Sequence, residues 1–263
     1  MTGARTVVRR RCVFLHGLAG SVAMWDPVIA RTAGLVDGFA PALPWHGTAD
    51  PSWAVDAEPG RALDRFVTGD DIVVAHSFAA ALLLARLAAP GAVRPAAVVL
   101  VSPFYRPEPT DFTWETLEHF LGDFHLLLAR GLRAASSRTI ADDLLHDMAI
   151  AVRGRVGAYG WLRFITAYLA TPAVDLRSLT MPIAVLHGTD DAVAPPADGA
   201  ALAARLVDAS FHPVDGAGHF PMLLRPDALA DVIGTVVTRL TVPPVLPVVP
   251  RPAALAVSQE VPA

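Results

Sequence analysis

Lysine is absent from this 263-residue chain, and all 21 of its basic residues are arginine, a bias read as genomic rather than functional. Charge is scarce as well: charged residues are 17% of the chain, against roughly 25% in a typical globular protein. The net charge of −4 leaves no basic face for phosphates, which excludes nucleic acid as a partner. The short run Arg9-Arg10-Arg11 reads as a solvated strand entrance. A single cysteine, Cys12, excludes an intramolecular disulfide and points to a reducing compartment. It stands in the apolar run Cys12-Val13-Phe14-Leu15 and reads as a core thiol. Long hydrophobic runs are missing. Ala79–Ala89 is interrupted by Arg86 and falls short of the ~20 residues a membrane span needs. The basic cluster at the start is followed by four apolar residues, fewer than the ~7–15 of a secretory signal. A cytoplasmic protein without membrane insertion is expected. The nine histidines contain no H-x-H or H-E-x-x-H pair, so neither metal nor other cofactor is expected.

What is present is aliphatic. Hydrophobic residues make up 53% and aromatics only 7%, so Ala, Val and Leu dominate, as in buried parallel strands and their covering helices. Short β-rich runs at 12–15, 38–42, 72–75, 96–101, 183–186 and 210–213 alternate with helix-period segments. That alternation predicts an α/β fold, a doubly wound, mostly parallel sheet. Ser77–Ala89 reads as a helix stopped by Pro90-Gly91, and a last helix opens at Pro226 with Leu229, Val232, Ile233, Val236 and Leu240 on one face. Residues 104–180 carry no strand signal and read as three helices. The first runs from Thr110-Asp111 to Gly131 with Trp114, Leu117, Phe120, Leu121, Phe124, Leu127 and Leu128 on its stripe; the others cover about 137–152 and 155–169. A helical insertion at one point of an α/β sheet suggests a lid. The expected division is core at 1–103, lid at 104–180, core at 181–241 and an extended, Pro-rich tail at 242–263.

Ile72-Val73-Val74-Ala75-His76-Ser77-Phe78-Ala79-Ala80 is a strand, a sharp turn with Ser at its apex, and a helix. This layout lifts a hydroxyl off the sheet's carboxyl edge and sets it at a helix N-terminus, where amides favour developing negative charge. The usual G-x-S-x-G has alanine at both glycine positions here, Ala75 and Ala79, a pattern also found at ordinary strand–helix junctions. Three further segments accompany it. Phe14-Leu15-His16-Gly17-Leu18-Ala19-Gly20 is a glycine-rich loop after the first strand. Val185-Leu186-His187-Gly188-Thr189-Asp190-Asp191 ends a strand in two carboxylates, and Gly216-Ala217-Gly218-His219-Phe220-Pro221 puts a histidine in the loop before the last helix. The order Ser, Asp, His is that of a nucleophile-elbow hydrolase.

Together these motifs resemble the α/β-hydrolase superfamily, in its lidded branch, across most of residues 12–240. Trp25-Asp26-Pro27-Val28 is similar to the family's first helix, Asp175–Leu179 with Met181-Pro182 to its return from the lid, and Gly218–Pro221 with Arg225-Pro226 to its histidine loop. The resemblance implies a catalytic triad of Ser77, Asp191 and His219, with Asp191 rather than Asp190 as acid. It also implies an oxyanion hole from the backbone amides of Leu18 and Phe78. His16, Gly17, Trp45, Val193, Phe220 and Trp161 are the residues expected to line a substrate. His16 is equally readable as loop-shaping, Trp45 as plain packing, and His76 and His187 as structural. Departures are plain too. Ala40-Pro41-Ala42-Leu43-Pro44-Trp45-His46-Gly47-Thr48-Ala49 lacks the family's Asp and first Gly, and only eleven residues precede the first strand, so the leading hairpin is expected to be missing or reduced. The implied activity is that of a serine hydrolase on a medium-sized, largely apolar carbonyl compound, a small-molecule substrate: a carboxylic ester, lactone, thioester or C–C bond. A lyase or cyclase on the same scaffold, and a non-catalytic ligand-binding protein with this fold, are the alternatives. Oligomeric state is left open.

Overall fold

The computed structural model describes residues 9–46, 52–122, 124–136 and 139–241. Along the chain run β1 (Arg11–Leu15), α1 (Asp26–Thr32), β2 (Asp37–Phe39), α2 (Ser52–Val55), β3 (Ile72–His76), α3 (Phe78–Ala88) and β4 (Ala97–Val101). Then come α4 (Trp114–Gly122), α5 (Phe124–Ala135), α6 (Asp142–Leu169), β5 (Ile183–Gly188), α7 (Pro196–Arg205), β6 (Ala209–Val214), α8 (Pro221–Leu224) and α9 (Pro226–Thr241).

The six strands form one sheet in the order β2-β1-β3-β4-β5-β6, and every pairing is parallel. Parallel strands need covered faces, and alternate side chains supply two cores. Val13, Leu15, Val73, Ala75, Val98 and Leu100 face α3, the C-terminal part of α6 and α7. Cys12, Phe14, Ile72, Val74, Val99 and Val101 face α1 and α9. All residues of β3, β4 and β5 are buried, which is why each reads as an unbroken apolar run. The edges differ: β2 has three exposed residues and β6 carries Pro213, a residue a sheet tolerates at its edge. Burial pushes the Cys12 thiol up, in keeping with a core role. Winding reverses between β1 and β3, so the loops leaving these neighbours diverge and open a crevice at the carboxyl edge.

The helices between β4 and β5 depart from the expected boundaries. The single helix expected up to Gly131 is two, α4 and α5. Gly131 lies inside α5, and its role is packing: a Cβ there would stand 2.7 Å from the Phe220 ring. The two helices expected next form one long element, α6, broken by a kink at Gly157 (φ 69°, ψ 169°), a conformation essentially restricted to glycine. Trp114, expected on a buried stripe, is the first residue of α4 and is 80% exposed. Phe120, Trp161, Phe164 and Tyr168 are buried. Between β5 and β6, where the alternation calls for a helix but no bounds were read, Ala-rich α7 starts at Pro196. No helix among the described residues is long and apolar enough to cross a membrane. The expected tail at 242–263, Gly47–Ala49, the start of the helix expected at 137, the Phe124 and Leu127 side chains, and most of the stretch where a leading hairpin was sought lie outside the described residues.

Candidate active site

Ser77 stands between β3 and α3 with φ 55° and ψ −120°, a strained conformation for a residue with a side chain. The surroundings impose it. The Ser77 N–H donates to the Val101 carbonyl across the sheet at 3.0 Å, while its own carbonyl accepts from Ala80 in the first turn of α3 at 2.9 Å. Ala75 and Ala79 are fully buried, so alanine fits where glycine is usual. Gly17 packs against the same turn, and a Cβ on it would lie 3.0 Å from the Ser77 Cβ.

Three loops at the carboxyl edge bring the expected triad together. His219 Nε2 lies 3.0 Å from Ser77 Oγ, and His219 Nδ1 lies 2.8 Å from Asp191 Oδ2. Asp191 Oδ1 accepts the Val193 and Ala194 amides at 2.9 and 3.0 Å. Burial works against a charge on Asp191, but His219, His187 and the Ala194 amide outweigh it and hold its carboxyl well below the usual carboxylate range. Asp190 takes no part in this chain: its carboxylate is exposed and accepts from the Thr189 hydroxyl at 3.2 Å. Phe78 opens α3, so its N–H is among those a helix start leaves without an intrahelical acceptor. Leu18 precedes Ala19 and Gly20, whose amides bond the carbonyls of Trp45 and Gly17.

The expected substrate-lining residues divide. His16 is fully buried, with Nδ1–H donating to the Gly17 carbonyl at 2.9 Å and Nε2 accepting from the Leu43 amide at 3.2 Å. Both nitrogens are spent on the loop, leaving none for a substrate. Trp45 is buried too; its indole N–H donates to the His16 carbonyl at 2.9 Å and its ring meets Phe78 edge-on at 5.4 Å. Val193 contributes the amide that holds Asp191. Trp161 stacks on Phe164 at 4.7 Å, and Phe164 reaches Phe78 at 6.1 Å. Phe220 packs beside His76 and His219 and lines a cavity of about 170 Å³ together with Leu18, Met24, Leu128, Leu132 and Val152. No charged side chain lines that cavity. Ser77, Asp191 and His219 line neither this cavity, which adjoins them through Leu18 and Phe220, nor a larger groove of about 340 Å³ between α3 and α6.

Two neighbours stand outside the expected site residues. Phe104 lies 5.5 Å from the His219 ring and 4.8 Å from Phe164; its place three residues beyond β4, at the sheet's carboxyl edge, is the signal that marks it. His76, read as structural, is buried and donates its Nε2–H to the His219 backbone carbonyl at 2.9 Å.

Burial lowers the proton affinity of His16 to about pKa 4 and that of His76 well below the ordinary histidine value. In the unfolded chain both titrate near the ordinary histidine value of 6.5. Between about pH 6.5 and 4 the unfolded state therefore binds more protons, and stability falls as pH falls through that window. Thermal melts at pH 7, 6 and 5 should show a declining Tm, with part of the decline lost in His16→Asn. A Tm that stays level, or that rises toward pH 5, would contradict the buried neutral histidines.

The Alpha/beta hydrolase family model matches residues 12–232. Among characterised proteins, a pimeloyl-[acyl-carrier protein] methyl ester esterase of Aromatoleum aromaticum is 28% identical over 246 residues, covering 86% of this chain and 97% of that protein. Among solved structures, a putative lipase from Acinetobacter baumannii AYE superposes with a TM-score of 0.66 at 17% identity, over 88% of this chain and 84% of the other. The esterase RhEst1 from a Rhodococcus species gives a TM-score of 0.62 at 21% identity, over 88% and 91%.

Proposed function

The chain belongs to the alpha/beta hydrolase family, and from that premise we propose that it hydrolyses a medium-sized, largely apolar carboxylic ester through an acyl-enzyme on Ser77. The observation that carries this reading is the unbroken chain from Ser77 Oγ to His219 Nε2 at 3.0 Å and from His219 Nδ1 to Asp191 Oδ2 at 2.8 Å.

In the proposed reaction, His219 Nε2 takes the Ser77 proton as Oγ attacks the ester carbonyl. Asp191 holds the Nδ1–H tautomer of His219 and stabilises the imidazolium that forms. The developing oxyanion takes hydrogen bonds from the Leu18 and Phe78 amides, a contribution typically the largest in such sites. The imidazolium returns its proton to the leaving alkoxide, and water attacks the acyl group by the same steps in reverse. The helices at 104–180 act as the lid: they supply Leu128, Leu132, Val152 and the Trp161–Phe164 stack over the crevice.

The uncharged lining of the cavity beside Leu18 and Phe220 favours the hydrocarbon part of a neutral ester. Its volume of about 170 Å³ is close to the ~150 Å³ of an engineered apolar cavity that holds benzene, a group of about six carbons. Burying each methylene contributes ~0.8 kcal/mol, or about fourfold in kcat/KM. A series of neutral p-nitrophenyl esters should therefore show kcat/KM rising with acyl length to about six carbons, then levelling or falling. A rate that falls steadily beyond acetate, or a preference for anionic esters, would overturn the apolar assignment.

A further inference from the structure

The histidine at the end of β5 has no part in the relay proposed above, yet it touches the acid. The His187 and Asp191 side chains are both fully buried. His187 Nε2 lies 2.8 Å from the Ala194 carbonyl and 3.2 Å from Asp191 Oδ2. A carbonyl only accepts, so the proton sits on Nε2 and is donated to Ala194, with the carboxylate oxygen beside it at 3.2 Å. The other nitrogen, Nδ1, has no hydrogen-bond partner and faces the α7 backbone at Gly199. A proton there would be a buried donor without an acceptor, a costly arrangement that leaves Nδ1 bare.

Counting donors on Asp191 shows what His187 adds. Oδ1 accepts the Val193 and Ala194 amides, and Oδ2 accepts His219 Nδ1. A carboxylate offers about four lone-pair sites, and the His187 Nε2–H lies 3.2 Å from Oδ2 on the side the other three donors leave open. We infer that His187 is a positioning residue: its Nε2–H pins Asp191 Oδ2 in line with His219 Nδ1. Being bare at Nδ1, it does so without setting a second positive charge beside the imidazolium that forms during turnover. Of the other titratable groups nearby, His76 spends its Nε2–H on the His219 carbonyl at 2.9 Å, and Asp198 in the first turn of α7 is paired with Tyr168 at 2.9 Å. Neither supplies a donor to Asp191 in their place.

As a statement about catalysis this rests on the proposed Ser77–His219–Asp191 reading; as a statement about the tautomer it does not. The test is ¹⁵N-histidine NMR and ester kinetics on the full chain, His187→Leu and His187→Gln, the last keeping an N–H near the imidazole Nε2 position. The unsubstituted protein should show one histidine protonated at Nε2 and bare at Nδ1 whose signals vanish in both variants. It should also show a low-field His219 Nδ1 proton that moves upfield in the Leu variant and is kept in the Gln variant. The Leu variant should lose about 10–100-fold in kcat, the scale of outer-shell losses at metal-bound histidines, with KM nearly unchanged; Gln should recover most of it. Should the Leu variant not fold, the Gln variant's low-field proton decides: its presence supports the inference and its loss overturns it. A His187 proton on Nδ1, full kcat in the Leu variant, or Gln no better than Leu would also overturn it. If instead a fluorophosphonate labels a residue other than Ser77, the triad reading fails while the tautomer measurement stands.

Discussion

Ser77→Ala should leave a folded protein that hydrolyses esters about 10⁴–10⁶-fold more slowly in kcat, with KM little changed. The size follows from what the substitution removes. Among the described residues the hydroxyl is the only hydrogen-bond partner of His219 Nε2, so without it the base has no nucleophile to activate. On the proposed reading, what would remain is the pair of amides at Leu18 and Phe78 and the apolar cavity, which would polarise and hold an ester but form no acyl-enzyme. Folding should survive because the strained backbone at Ser77 (φ 55°) is set by main-chain bonds to Val101 and Ala80. Alanine keeps the Cβ and loses only a side-chain contact on the site. Two measurements check it: steady-state kinetics beside a thermal melt, and mass-spectrometric mapping of a fluorophosphonate adduct. Activity within tenfold of the unsubstituted protein, or an adduct on any other residue, would remove Ser77 from the nucleophile's place.

Asp191→Asn should cost about 10⁴-fold in kcat, and Asp190→Asn less than about tenfold. Asparagine retains one carbonyl oxygen, which the Val193 and Ala194 amides claim at the Oδ1 position. Its amide nitrogen then occupies the place of Oδ2 and points donor protons at His219 Nδ1 and at His187 Nε2–H. His219 must switch tautomer to accept, which puts its proton on Nε2 and blocks it as a base toward Ser77. The same donor–donor clash against His187 should lower the Tm. Asp190, exposed and bonded only locally through its side chain to Thr189, offers no such leverage. The carboxyl of Asp191 is held below its unfolded value, so its stabilisation is present above about pH 4 and is lost as pH drops below that. The difference in stability between Asp191→Asn and the unsubstituted protein should therefore narrow in strong acid. Equal losses in the two asparagine variants, or a larger loss for Asp190, would move the acid by one residue.

Both expectations start from residues nominated without any structure, and the reason is local. A nucleophile elbow is a strand, a turn and a helix within nine residues, Ile72–Ala80, and each of the other two loops ends its strand within a handful of positions. Hydrophobic period and turn chemistry write such segments legibly, and the central strands, buried on both faces, are legible for the same reason. Gly131 and Gly157 illustrate the opposite case. In sequence the first looked like a helix end and the second carried no mark. In the fold the first makes room for Phe220 and the second breaks α6. A missing side chain reads the same in either role until its neighbours across the chain are known.

The composition and periodicity of this chain therefore determined a doubly wound parallel sheet, its strand positions, its aliphatic core and the three segments that converge at the carboxyl edge. Tertiary structure alone decided how those segments meet. It set the 3.0 and 2.8 Å links among Ser77, His219 and Asp191, which join positions up to 142 apart in sequence. It turned His16 inward onto Gly17 and Leu43, left Trp114 in solvent, and placed His187 on the carboxylate of Asp191. The physical reason is that a hydrogen bond depends on a few tenths of an ångström between groups brought together by packing, whereas sequence patterns record only which face of its own element a residue occupies.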